Sequence, residues 1–144
     1  MVSQVVELQN TRWAEVRAMS GEELETLIEN MSACQRLPRS AYHFQRHGKD
    51  CGVETQADYE ALFLEQVVRT DLRWFTALRP KDKARMWYRI DVDSSFVLQY
   101  NETRGRYWTF YRTAGDDIVK QMEDARGWWI EVVRVGGGLE TKKW

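Results

Sequence analysis

Apolar residues recur at helical spacing in the first half of the chain and at strand spacing in the second, with the change near Pro80. Val5, Val6, Leu8, Trp13 and Val16 predict a first helix. Ser20-Gly-Glu-Glu23 then has the form of a capping box: the serine accepts from a free amide of the first turn and the glutamate reaches back. Leu24, Leu27, Ile28 and Met31 follow at three- and four-residue steps, so a second helix is predicted over 21–34. Pro38 marks the end of that helical stretch, because proline disfavours a helical conformation in the residue before it. Tyr42-His-Phe-Gln-Arg-His-Gly48 predicts one or two helical turns closing at Gly48 as a C-cap, with His43 and His47 on one face. Thr55 and Asp58 form a further N-cap pair, and Tyr59, Leu62, Phe63 and Val67 predict a helix over 56–71.

Beyond Pro80, β-branched and aromatic residues alternate with polar ones in short runs. Arg85–Asp91, Phe96–Tyr100 and Arg106–Arg112 are predicted strands, with turns at Asp93-Ser-Ser and Asn101-Glu-Thr-Arg-Gly105. A last strand is predicted over Trp128–Val135. Between these, Asp116 and Asp117 suit the positive start of a helix whose apolar stripe is Ile118, Met122 and Ala125, ending before Gly127. The tail from Gly136 reads as flexible. Helices first and a mostly antiparallel four-stranded sheet afterwards predict an α+β fold.

The 144 residues suit one domain, and a hydrophobic fraction of 43% with seven tryptophans supplies its core. No apolar run reaches the roughly 18–20 residues needed to cross a bilayer, and MVSQVVELQNTRW lacks a basic start and a long apolar stretch, so neither a membrane span nor a secretion signal is expected. Cys34 and Cys51 follow no metal-ligand spacing and suggest reduced thiols, hence a cytoplasmic site of action.

A formal charge of −1 conceals an uneven distribution. Residues 1–35 hold six glutamates against Arg12 and Arg17. Residues 36–49 hold Arg36, Arg39, Arg46 and Lys49 with both histidines of the chain, and no carboxylate. Such a block suits a phosphate-bearing partner, although a solvated basic loop has the same composition.

The histidine pair is the strongest local signal. Imidazole titrates near neutrality, so two of them can divide the work of general base and general acid. The i, i+4 spacing also occurs in zinc sites, where a third ligand would have to come from Asp50, Cys51 or Glu54, none at diagnostic spacing. Strand alternation puts Tyr107, Thr109 and Tyr111 on one face and Trp108, Phe110 and Arg112 on the other. Thr109 and Tyr111 are suited to hydrogen-bonding phosphate oxygens, and Arg89 on a neighbouring strand to stabilising added negative charge. A cross-strand threonine and tyrosine ladder gives the same pattern without chemistry.

The order of these features, His43-Phe-Gln-Arg-His47-Gly48, Thr55-x-x-x-Tyr59-Glu-Ala61 opening a helix, and Trp108-Thr-Phe-Tyr111-Arg112 on a strand, resembles the barnase-EndoU-colicin-RelE-like RNases, in particular their phage and polymorphic-toxin branch. The resemblance covers about residues 40–135 and leaves 1–37 as a helical extension and 136–144 as a tail. It implies helices packed on a four-stranded antiparallel sheet with catalysis on the exposed sheet face. By position, His43 and His47 match the histidine-rich helical motif, Thr109 and Tyr111 the strand motif, and Arg89 a basic residue on an earlier strand. Arg46 stands where many relatives have lysine, and the isoelectric point near 6.2 is low for a delivered toxin.

The expected function is therefore a metal-independent endoribonuclease without cofactor, cleaving RNA through its own 2′-hydroxyl. His43, His47, Arg89, Thr109 and Tyr111 would be catalytic, and Arg36, Arg39, Arg46, Lys49 and Trp108 would bind substrate. The implied partners are RNA and, for a toxin, a cognate immunity protein or antitoxin. The competing expectation is a non-catalytic RNA- or protein-binding module of the same fold, using Trp108, Trp128 and Trp129.

Overall fold

Local capping fixes where the helices begin. In the computed structural model, which describes residues 4–113, 115–126 and 128–144, α1 spans Gln4–Ala18 and α2 spans Gly21–Ala33. The Ser20 hydroxyl accepts from the Glu23 amide and the Glu23 carboxylate accepts from the Ser20 amide, which completes the capping box. Thr55 likewise caps α4 (Gln56–Val67) through the Asp58 amide, and α3 (Ser40–His47) lies between them. The predicted C-cap at Gly48 has a different origin. Its φ of −57° is right-handed, and glycine is required because a Cβ there would lie 2.6 Å from the Phe44 ring. The remaining elements are β1 (Arg73–Leu78), β2 (Arg85–Asp91), β3 (Phe96–Asn101), β4 (Arg106–Arg112), α5 (Gly115–Asp124), β5 (Ile130–Val135) and β6 (Gly138–Lys143). Gly127, read from the sequence as the end of α5, lies outside the described residues, as does the side chain of Val5.

The fold is α+β, but the sheet has six antiparallel strands in the order β4-β3-β2-β1-β5-β6, not the four predicted. Two segments account for the difference. The helix predicted to reach residue 71 stops at Val67, and Arg73–Leu78 forms a central strand whose residues from Trp74 to Leu78 are all buried, so no alternation marks it. The predicted flexible tail instead turns through Gly136 (φ +58°) and Gly137 and pairs along the whole of β5 as β6.

Both sheet faces are covered. On one, Trp74, Trp87, Leu98, Tyr107 and Phe110 pack against Leu24, Ile28 and Met31 of α2 and Tyr59, Phe63 and Val67 of α4. On the other, Phe75, Ile90 and Val97 meet Ile118 and Met122 of α5. The N-terminal helices are thus part of the core and not an appendage. Gln9 donates to and accepts from the Leu78 backbone, just past the point where β5 stops pairing with β1. Arg12, 1% exposed, bonds the Thr76 hydroxyl and the Glu102 carboxylate while lying over the Trp87 ring.

Candidate active site

The pairing of β3 with β4 slips between Gln99 and Tyr100: Gln99 faces Thr109 and Tyr100 faces Tyr107, leaving Trp108 as an extra residue. The bulge changes which side chains share a face. Tyr107, predicted beside Thr109 and Tyr111, turns instead into the core with Phe110, where its hydroxyl donates to the Met31 carbonyl. Thr109 and Tyr111 stay on the opposite face with Gln99, and Trp108 is pushed outward to 43% exposure.

Helix α3 stands beside this edge of the sheet and carries both histidines to it. Their rings are near parallel, 11° apart in plane, with centroids separated by 6.3 Å, as the i, i+4 spacing dictates. His43 is buried, its Nδ1 3.2 Å from the Thr109 hydroxyl oxygen. His47 is half-buried, and its ring lies 5.6 Å from that of Tyr111. The Gln99 amide donates to the Tyr111 hydroxyl across 3.2 Å. Together they line a cleft of about 560 Å³ whose wall also includes Pro38, Arg39, Tyr42, Arg46, Arg106, Tyr107 and Trp108.

The cleft wall contains no aspartate or glutamate. Elsewhere Arg12, Arg69, Arg73, Arg79, Arg85, Arg134 and Lys142 pair with carboxylates, whereas among the described residues Arg39, Arg46 and Arg106 have none within ion-pair distance. Arg39 and Arg46 instead lie over the Tyr42 ring at 4.4 and 5.7 Å, and Arg46 also donates to its hydroxyl. That hydrogen bond, and then the charge behind it, lowers the Tyr42 pKa. Arg39 adopts a left-handed backbone (φ +59°, ψ +38°), a strained conformation for a residue with a Cβ, immediately before α3.

Burial is the main cause holding both imidazoles below their ordinary pKa. For His43 the charges of His47, Arg39 and Arg46 add to it, against a hydrogen bond to the Pro38 backbone. For His47 the charge of Arg46 adds and Asp50 opposes. Burial raises the Tyr111 pKa, against the Gln99 hydrogen bond. At neutral pH the cleft therefore presents neutral imidazoles, able to accept protons, beside a protonated phenol and fixed cations.

Arg89 does not belong to this group. It is fully buried on the face covered by α2 and α4, in register with Leu98 and Phe110, and bonds the Val67 and Arg69 carbonyls and the Tyr107 hydroxyl while stacking on Trp74. Its role is to brace the core. Arg36 and Lys49 are exposed but lie outside the cleft wall, whereas Arg39, Arg46 and Trp108 are part of it. Sequence reasoning missed Gln99, Arg106 and Tyr42. Gln99 alternates with Leu98 and Tyr100 and so sits on the Thr109 face once β3 is paired with β4. Among the described residues no three histidine, cysteine or acidic side chains come together as a metal site, and Asp50, Cys51 and Glu54 do not join the histidines in the cleft. Burial pushes the Cys51 thiol up to about 11.

No family model, curated protein or solved structure matches this chain. Among the described residues no helix is long and apolar enough to cross a membrane.

Proposed function

We propose that this cleft is the active site of an endoribonuclease that cleaves RNA by transesterification from the substrate's 2′-hydroxyl. The observation that carries the reading is the stacked pair His43 and His47 held over Thr109 and Tyr111, in a cleft with three arginines and no carboxylate. One histidine takes the 2′-hydroxyl proton as the O2′–P bond forms. As the P–O5′ bond breaks, Tyr111, or the other histidine in its protonated form, protonates the leaving oxygen, so a 2′,3′-cyclic phosphate and a 5′-hydroxyl result. Thr109 and the arginines Arg39, Arg46 and Arg106 hold the phosphate, the part earlier expected of Arg89. These steps call for proton carriers and fixed positive charge, both supplied by the chain's own side chains, so no metal is required of the first step.

The short motifs quoted above support membership of the barnase-EndoU-colicin-RelE-like group, and with it a toxin or phage-encoded RNase acting in the cytoplasm and neutralised by an immunity protein or antitoxin. The exposed Trp108, with the Arg79 guanidinium 4.4 Å from its ring, favours a second reading as a non-catalytic RNA-binding module, since both groups offer stacking surface. Incubation with total RNA in EDTA separates the two: the enzyme produces fragments, and the binding module produces only a mobility shift. Growth arrest on expression, relieved by the product of an adjacent gene, is the outcome expected of a toxin.

A further inference from the structure

The three tyrosines of the cleft wall each receive a hydrogen bond on their oxygen, Tyr42 from Arg46, Tyr107 from Arg89 and Tyr111 from Gln99, and Tyr107 sends its own hydrogen to the Met31 carbonyl. A phenol oxygen that accepts from one side must send its own hydrogen elsewhere. For Tyr111 the choice is narrow. Its ring packs on the cluster of Phe75, Ile90 and Val97, whose side chains contain no acceptor; the Tyr88 phenol packs on the same cluster, and the other polar groups around Tyr111 line the cleft, where His47 lies. Gln99 is well placed to fix this direction, because it projects from β3 opposite Thr109 and so reaches Tyr111 from within the sheet.

We propose that Gln99 is a positioning residue that aims the Tyr111 hydroxyl at a phosphate oxygen in the cleft, making Tyr111 a neutral donor of the anion site beside Thr109 and the three arginines. Burial keeps the phenol protonated for that role. The inference rests on the reading of the cleft as a phosphate site, but not on cleavage taking place there.

The test uses the full chain and inorganic phosphate as the probe, with affinity measured by calorimetric titration and folding followed by thermal melting. The parent binds phosphate, Tyr111→Phe weakens it about tenfold, the loss of one good hydrogen bond, and Gln99→Met weakens it about fivefold. The double variant binds no more weakly than Tyr111→Phe alone, because Gln99 acts only through that one proton. Gln99→Leu serves in its place if Gln99→Met loses its cooperative melt. A parent that does not bind phosphate, a Tyr111→Phe variant that binds as the parent does, or a position-99 effect of full size in the Tyr111→Phe background overturns the proposal. Assaying RNA cleavage with the same proteins keeps the two ideas apart. Phosphate binding in the expected pattern without cleavage sinks the ribonuclease reading alone, whereas cleavage with phosphate affinity unchanged in the variants sinks this one alone.

Discussion

His43 and His47 share a helix face, but their removal should have different consequences. His43 is buried and contacts Thr109, so His43→Ala should cost about 1–3 kcal/mol of stability through the polar partner it strands. His47 is half-buried, and His47→Ala should cost under about 1 kcal/mol. Each should nevertheless slow RNA cleavage by about 10²–10⁴-fold, since one proton must be removed and another delivered. Rates compared at a temperature where all three proteins are folded check this, and an unchanged rate in both variants would make the histidines ordinary members of a basic surface. The lowered pKa values also set a sign for stability. Between the folded values and the unfolded value of about 6.5, the unfolded chain binds more protons. Stability should therefore fall as pH drops through about 6.5 and level off below the folded values, with a shallower fall in His43→Ala. Melting curves between neutral pH and mildly acidic pH would show it; the histidine account is wrong if acidification raises the melting temperature.

At the scale of elements, α1 and α2 hold the core together, although the resemblance left residues 1–37 as an extension outside the RNase-like core. Leu24, Ile28 and Met31 fill the helix-side core, and the Met31 carbonyl anchors the Tyr107 hydroxyl next to the bulge that exposes Trp108. Deleting residues 1–35 should abolish cooperative melting. Arg12→Ala, which breaks a buried ion pair with Glu102, should cost about 3 kcal/mol. A residue 36–144 fragment that melts cooperatively would contradict this description. The starts of α2 and α4 were legible because capping is local: Ser20 with Glu23, and Thr55 with Asp58, lie three residues apart. β1 was not legible, because a strand buried on both faces has no period of two. β6 carries a polar sequence, Gly-Leu-Glu-Thr-Lys-Lys, which becomes a strand only by pairing with β5.

For the whole molecule, the cleft is defined by long-range register, and this explains which candidate residues come together. The histidines were readable as a pair from helical spacing alone. Whether Arg89 or Gln99 faced them depended on how β2, β3 and β4 align and on the bulge at Trp108, and neither is written in any one strand. The resulting distribution of charge predicts the response to salt. RNA affinity should fall with a log–log slope of about −2 if Arg39, Arg46 and Arg106 each neutralise a phosphate. Replacing any one by alanine should make the slope shallower by somewhat under one, while Arg36→Ala and Lys49→Ala, outside the cleft, should leave it nearly unchanged. A flat profile in the parent would mean that the cleft does not hold the RNA backbone. The most direct test of the ribonuclease proposal is the chemistry of the ends. Purified protein incubated with RNA in EDTA should release fragments ending in 2′,3′-cyclic phosphate and beginning with 5′-hydroxyl, and a substrate with 2′-deoxy sugar at the cleaved position should remain intact. Intact RNA, or fragments with 3′-hydroxyl ends formed only when metal is added, would contradict it.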